Sequence, residues 1–118
     1  MAKKSVAVII DHSPLNTEKD SEGLRMAVGQ TMAENQVTVL LLDAGAWAGT
    51  FQRPAAVKGG DLKKPIDTLV LLKHRVWVEE ESLQEYGISR EQVLPGVAVV
   101  SRRQIEDELA ASEAVIRF

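Results

Sequence analysis

Apolar residues in this chain come in short unbroken runs, and the stretches between the runs repeat them at helical spacing. Residues 4–10 are dominated by Val, Ile and Ala and end abruptly at Asp11 and His12. A uniform β-branched run of this kind fits a strand buried on both faces, as in a parallel sheet. After a loop through Pro14, Thr17 is placed to cap a helix, with acidic residues in its positive first turn. Leu24, Ala27, Val28, Thr31 and Met32 then recur along one helical face until Asn35, which is placed to stop the helix. Residues 37–42 form a second apolar run ending at Asp43. Strand, helix and strand in this order predict a right-handed crossover unit.

The remainder is less uniform. Residues 44–60 hold four of the eight glycines and read as a long loop, which in a compact domain is functional or mobile. Residues 64–72 fit two patterns. Pro65 suits a first helical position, with Ile66, Leu69 and Val70 on one face, whereas 68–72 also suits a strand. Residues 75–78 read as a short strand and 79–86 as a short helix closed by Gly87. The pattern Ser89-Arg90-Glu91-Gln92 has capping-box form ahead of the Pro95-Gly96 break, and residues 97–100 make a fourth strand. A second capping box, Ser101-Arg102-Arg103-Gln104, opens a helix whose Ile105 and Leu109 face inward, and residues 114–118 supply a last edge strand. The alternation predicts a single α/β domain over residues 1–118. Its sheet is doubly wound, about five-stranded and mostly parallel, with helices on both faces in a flavodoxin-like three-layer arrangement.

Composition narrows the function classes. With 14 basic and 17 acidic residues spread along the chain, the net charge of -3 leaves no footprint for nucleic acid or an anionic membrane. The apolar runs fall far short of the roughly 20 residues of a membrane span, and Asp11 interrupts the first of them too early for a signal peptide. A cytoplasmic location is the expectation. Two histidines and no cysteine exclude a structural zinc site. Residues 58–61 lack the spacing of a phosphate loop, and no dinucleotide fingerprint follows either early strand. Neither a metal nor a cofactor is expected.

Open parallel sheets place their sites beyond the carboxyl ends of the strands. That rule nominates Asp11, His12 and Ser13, then Asp43 with Trp47, then Glu79, Glu80 and Ser82, and finally Ser101 with its two arginines. His12 is a candidate base or ligand, set against a plain solvated loop histidine. Asp11 and Asp43 end successive strands and can pair as acid and base or cap the next helix. The acids at 79–81 suit a helix first turn unless one turns into the cleft. Trp47 and Phe51 either anchor a partner or fold over the core.

Several stretches, read in order, resemble the DsrE/DsrF family, which includes the sulfur-relay subunits TusB, TusC and TusD. They are His12-Ser13-Pro14-Leu15-Asn16-Thr17, Ser21-Glu22-Gly23-Leu24-Arg25-Met26-Ala27, Leu42-Asp43-Ala44-Gly45-Ala46-Trp47, residues 76–88 and residues 96–101. No single motif decides; the order and spacing across nearly the whole chain do. The resemblance implies a helix at 65–72 and assembly as a homo-oligomeric trimer or hexamer, or as a hetero-oligomer with DsrE-family homologues. It also implies an acceptor cysteine just after the third strand, which carries sulfur as a persulfide. Glu79 most nearly matches that position, with Glu80 next in register. A persulfide requires a thiolate, so this cysteine-free chain is expected to be a structural or regulatory subunit with no catalytic residue of the family's kind. The alternative is a small-molecule binder or enzyme with Glu79 as acid or base and His12 and Asp43 as helpers.

Overall fold

The computed structural model describes residues 4–14, 19–51 and 62–118. The strands are β1 (Ser5–Ile10), β2 (Gln36–Leu41), β3 (Arg75–Glu79), β4 (Ala98–Val100) and β5 (Ala114–Arg117). They form one sheet in the order β4-β3-β2-β1-β5, and every pairing is parallel. The helices are α1 (Lys19–Met32), α2 (Lys63–Leu71), α3 (Glu80–Glu85) and α4 (Arg102–Ala111).

The order of the strands fixes where the helices go. The chain steps from β1 to β4 in one direction across the sheet, so right-handed crossovers put α1 and α2 on one face. It must then return to β5 beside β1, and the reversal sends α4 over the opposite face. Period-two alternation in the strands serves both layers. Val6, Val8 and Ile10 of β1 and Val37, Val39 and Leu41 of β2 join Leu24, Ala27, Ile66 and Leu69 in the larger core. Ala7, Leu40 and Val100 meet Ile105 of α4 in a smaller core on the other side, with Ile9, Trp77 and Leu109 packed against it.

The ambiguous segment at 64–72 is helical. Ile66 and Leu69 are fully buried against the larger core, while Leu71 and Leu72 stand exposed; a strand there would alternate its apolar residues to both sides of the layer. Three helices end in the same motif, in which one residue turns left-handed while its own amide and the next one close back on the last turn. In α3 that residue is Gly87 (φ 65°), and Ile88 donates its N–H to the carbonyl of Leu83. In α2 it is Lys73 (φ 64°), with His74 bonded to Leu69. In α1 it is Glu34 (φ 64°), one residue before Asn35. Asn35 takes the following position, donating its backbone N–H to the carbonyl of Gln30. The expected cap at Thr17 lies outside the described residues.

The start of the long loop is ordered as a 3-10 turn over Asp43–Gly49. Gly45 makes this possible, because a Cβ there would sit 2.0 Å from the Ile10 carbonyl oxygen. The turn therefore crosses directly over the end of β1. It continues to Thr50, which bridges Val93 in antiparallel fashion. No helix among the described residues is long and apolar enough to cross a membrane.

Candidate functional site

Strands β3 and β4 lie side by side, but their chains part at the carboxyl ends. From β3 the chain enters α3, whose Leu83 packs into the larger core. From β4 it enters α4, which packs on the other face through Ile105. Such a divergence opens a crevice beyond the strand ends, the usual place for a site in an open α/β sheet.

Glu79, the last residue of β3, lies where the two chains part and is only 4% exposed. Its carboxylate is engaged on both oxygens. Arg102 Nε donates to Oε2 at 3.1 Å and Arg102 Nη2 to Oε1 at 3.2 Å, a two-pronged contact from the first residue of α4. The Ser82 hydroxyl, fully buried, donates to Oε1 at 2.6 Å and accepts the Asp43 backbone N–H at 2.8 Å. Asp43 holds a left-handed backbone (φ 50°), which Asp tolerates better than most residues. One network thereby ties together the ends of β2, β3 and β4.

Burial alone would push the Glu79 carboxyl upward, but hydrogen bonds from Arg102 and Ser82 and the arginine's charge outweigh it. The carboxyl is held below its ordinary range. Glu79 is consequently a carboxylate at neutral pH, poorly matched to proton transfer there. The same contact raises the Arg102 guanidinium above its ordinary value, with smaller contributions from the charges of Glu81 and Asp43. Glu81 also receives the Arg102 backbone N–H at 3.0 and 3.1 Å, placing a carboxylate at the positive start of α4. Ser101 caps α4 through a reciprocal box with Gln104.

The remaining nominated residues are placed elsewhere. Asp11 and His12 lie beyond β1, where Asp11 Oδ2 accepts from Arg117 Nε of the neighbouring β5 at 3.0 Å. His12 Nε2 is 3.5 Å from Asp11 Oδ1, and the half-buried Ser13 follows it. Glu80 turns outward to Arg90 at 2.8 Å. Trp47 packs against the larger core, whereas Phe51 is 59% exposed. Among the described residues, no group of three or more His, Asp or Glu side chains is arranged to hold a metal ion.

The rule of strand ends nominated Arg102 only as one of a cluster with Ser101 and Arg103, without preferring it. A signal for it exists: a cation at the first position of a helix opposes the macrodipole, so an arginine there implies an acidic partner. Arg117 and the buried Asp20 carried no such mark.

The family model for DsrE/DsrF-like proteins matches residues 4–118. The chain belongs to the DsrE/DsrF-like family. Among solved structures it is similar to the ychN protein from E. coli, with a TM-score of 0.88 and 18% identity over 98% of this chain and 99% of that one. MTH1491 from Methanobacterium thermoautotrophicum gives a TM-score of 0.76 at 20% identity, over 98% of this chain and 100% of that one. BT1422 from Bacteroides thetaiotaomicron gives 0.68 at 8% identity, over 98% and 95% respectively. At these identities the likeness establishes the shared fold. No curated protein matches the chain. This chain has no cysteine anywhere in its 118 residues.

Proposed function

We propose that this protein is a DsrE/DsrF-like subunit that does not itself carry sulfur. In this reading it serves as a structural or regulatory member of an oligomeric sulfur-relay-type complex in the cytoplasm. The observation that carries the proposal is the state of Glu79. At the position that most nearly matches the family's acceptor cysteine stands a buried carboxylate, held by Arg102 and Ser82. A carboxylate cannot form a persulfide, and its charge disfavours an anionic persulfide nearby. Its hydrogen bonds instead join three strand ends, a use that suits a scaffold. Catalysis by Glu79 finds less support, because both of its oxygens are occupied and His12 lies beyond β1 against Asp11.

The test is assembly in the presence of an active relative. The purified chain is analysed by size exclusion with light scattering, alone and mixed with persulfidated DsrE-family carriers from the same source. A defined trimer or hexamer, or a mixed complex, is the expected result, with the transferable sulfur remaining on the carrier. A monomer at micromolar concentration that ignores every carrier contradicts the subunit role.

A further inference from the structure

Helices α1 and α2 pack against each other on one face of the sheet, and both run back toward the amino ends of the strands. A cleft opens between their last turns, at the opposite end of the strands from Glu79. It holds about 320 Å³ and is lined by Thr31, Glu34, Asn35, Gln36, Leu72 and His74. Small-molecule sites begin at about 300 Å³, so this cleft suits one side chain better than a nucleotide-sized ligand. Its polar groups are fixed in advance. His74 Nδ1 accepts the Val37 backbone N–H at 3.1 Å, which leaves the proton of the neutral ring on Nε2. Asn35 donates Nδ2 to Gln30 Oε1 at 2.8 Å, while its Oδ1 accepts the Lys4 backbone N–H at 3.4 Å.

The charge presented to the cleft is negative. Both helices point their carboxyl ends at it, where the negative ends of two macrodipoles add. Neither helix has a basic residue in its last turn. The Glu34 carboxylate is exposed on the lining and forms no ion pair among the described residues. Lys4, Lys73 and Arg75 come near the cleft in the chain, but none of them lines it, and Arg75 is paired with Glu108.

The surface beside the cleft is apolar. Met32 and Leu71 are the last residues of α1 and α2, and they are 84% and 80% exposed. Leu72, on the lining itself, is more than half exposed. Apolar side chains scattered singly over a surface need no explanation, but a group of them beside a cavity of one charge marks an interaction site. A free amine or a metal ion in the cleft would leave Met32 and Leu71 uncovered.

We propose that this cleft receives a lysine or arginine side chain of a partner protein, whose apolar neighbours cover Met32, Leu71 and Leu72. The cation sits between the two helix ends and pairs with Glu34, and its alkyl stem rests on Leu72. This surface does not depend on whether the partner carries sulfur, so the inference can fail while the subunit role stands.

The experiment follows amide NMR spectra of the full chain during titration with a blocked Leu-Arg-Leu tripeptide and with its neutral citrulline isostere. Saturable movement of the Asn35, Val37 and His74 signals with the arginine peptide is the expected result. The citrulline peptide should bind about tenfold more weakly, since it forfeits both the Glu34 pair and the attraction of the helix ends. That comparison needs no variant of the protein to fold. Glu34→Gln should weaken the arginine peptide about threefold and leave Tm unchanged. Equal binding of the two peptides overturns the proposal, as does the absence of any movement at these residues at high millimolar peptide. Free arginine binding as tightly as the tripeptide also overturns it, because the cleft would then serve a small molecule. Movement of the same signals on dilution of the protein alone would assign the surface to a second copy of this chain and overturn it too.

Discussion

Replacing Glu79 separates the contributions of shape, charge and hydrogen bonding in the network at the β3 end. Glu79→Ala removes the acceptor of the fully buried Ser82 hydroxyl and of two guanidinium N–H groups. Arg102 can rehydrate, since 54% of its side chain is already exposed; Ser82 cannot. A buried hydroxyl left without its acceptor costs about 1–3 kcal/mol, and lost packing adds to this. The expected destabilisation is therefore about 2–3 kcal/mol. Glu79→Gln retains an oxygen for Ser82 and loses only the charge that faces Arg102, so about 1 kcal/mol is expected. For a chain of this length each kcal/mol lowers Tm by about 4 °C.

Chemical denaturation from pH 3 to 8, analysed as two-state, measures both effects. The Glu79 carboxyl is depressed in the folded state, so its contribution is complete above the ordinary value of 4.5 and lost as pH falls through the folded value. The gap between the unmodified chain and Glu79→Gln should close at acid pH. Taking the difference removes any pH dependence from Asp20, which both proteins retain. A Glu79→Gln variant as stable as the parent at neutral pH, with parallel pH profiles, would refute the reasoning.

Two glycines should respond differently to alanine. At Gly45 the new Cβ would meet the Ile10 carbonyl, and a loss of at least about 3 kcal/mol, or failure to fold, is expected in thermal melts. At Gly87 nothing lies within contact distance and only the positive φ opposes the change; about 1 kcal/mol is expected. Ser101→Ala opens the capping box of α4, and should lower Tm by about 4 °C.

Much of the fold was legible because burial writes itself into residue type. β1 and β2 are covered on both faces, and their runs are apolar without alternation. Gly87 and Ser101 sit where helix-end chemistry demands them. The segment at 64–72 was not legible locally, because Leu, Val, Ile and Thr satisfy either state until the larger core is known. Glu34, not Asn35, adopts the left-handed turn of α1: the helix ends where its apolar face runs out, and the next residue takes the strained position whatever its identity.

The site was half legible. The rule of strand carboxyl ends reached Asp43, Glu79, Ser82 and Arg102, which one hydrogen-bonded network joins, but it also gathered His12 and Trp47, which face other surroundings. It could not rank these residues, since which strands lie side by side, and which loops part, depends on the reversal between β4 and β5. Asp20 looked like an ordinary first-turn acid; only the fold shows it buried.

The central claim is that this chain joins a sulfur-carrying assembly without taking up sulfur, and native mass spectrometry tests it most directly. The protein would be mixed with a persulfidated DsrE-family carrier from the same source, and both complex and subunit masses recorded. The account predicts a mixed or self-assembled oligomer in which this subunit keeps its unmodified mass while the carrier bears the extra sulfur. A strict monomer in every mixture, or covalent sulfur on this chain, would contradict it.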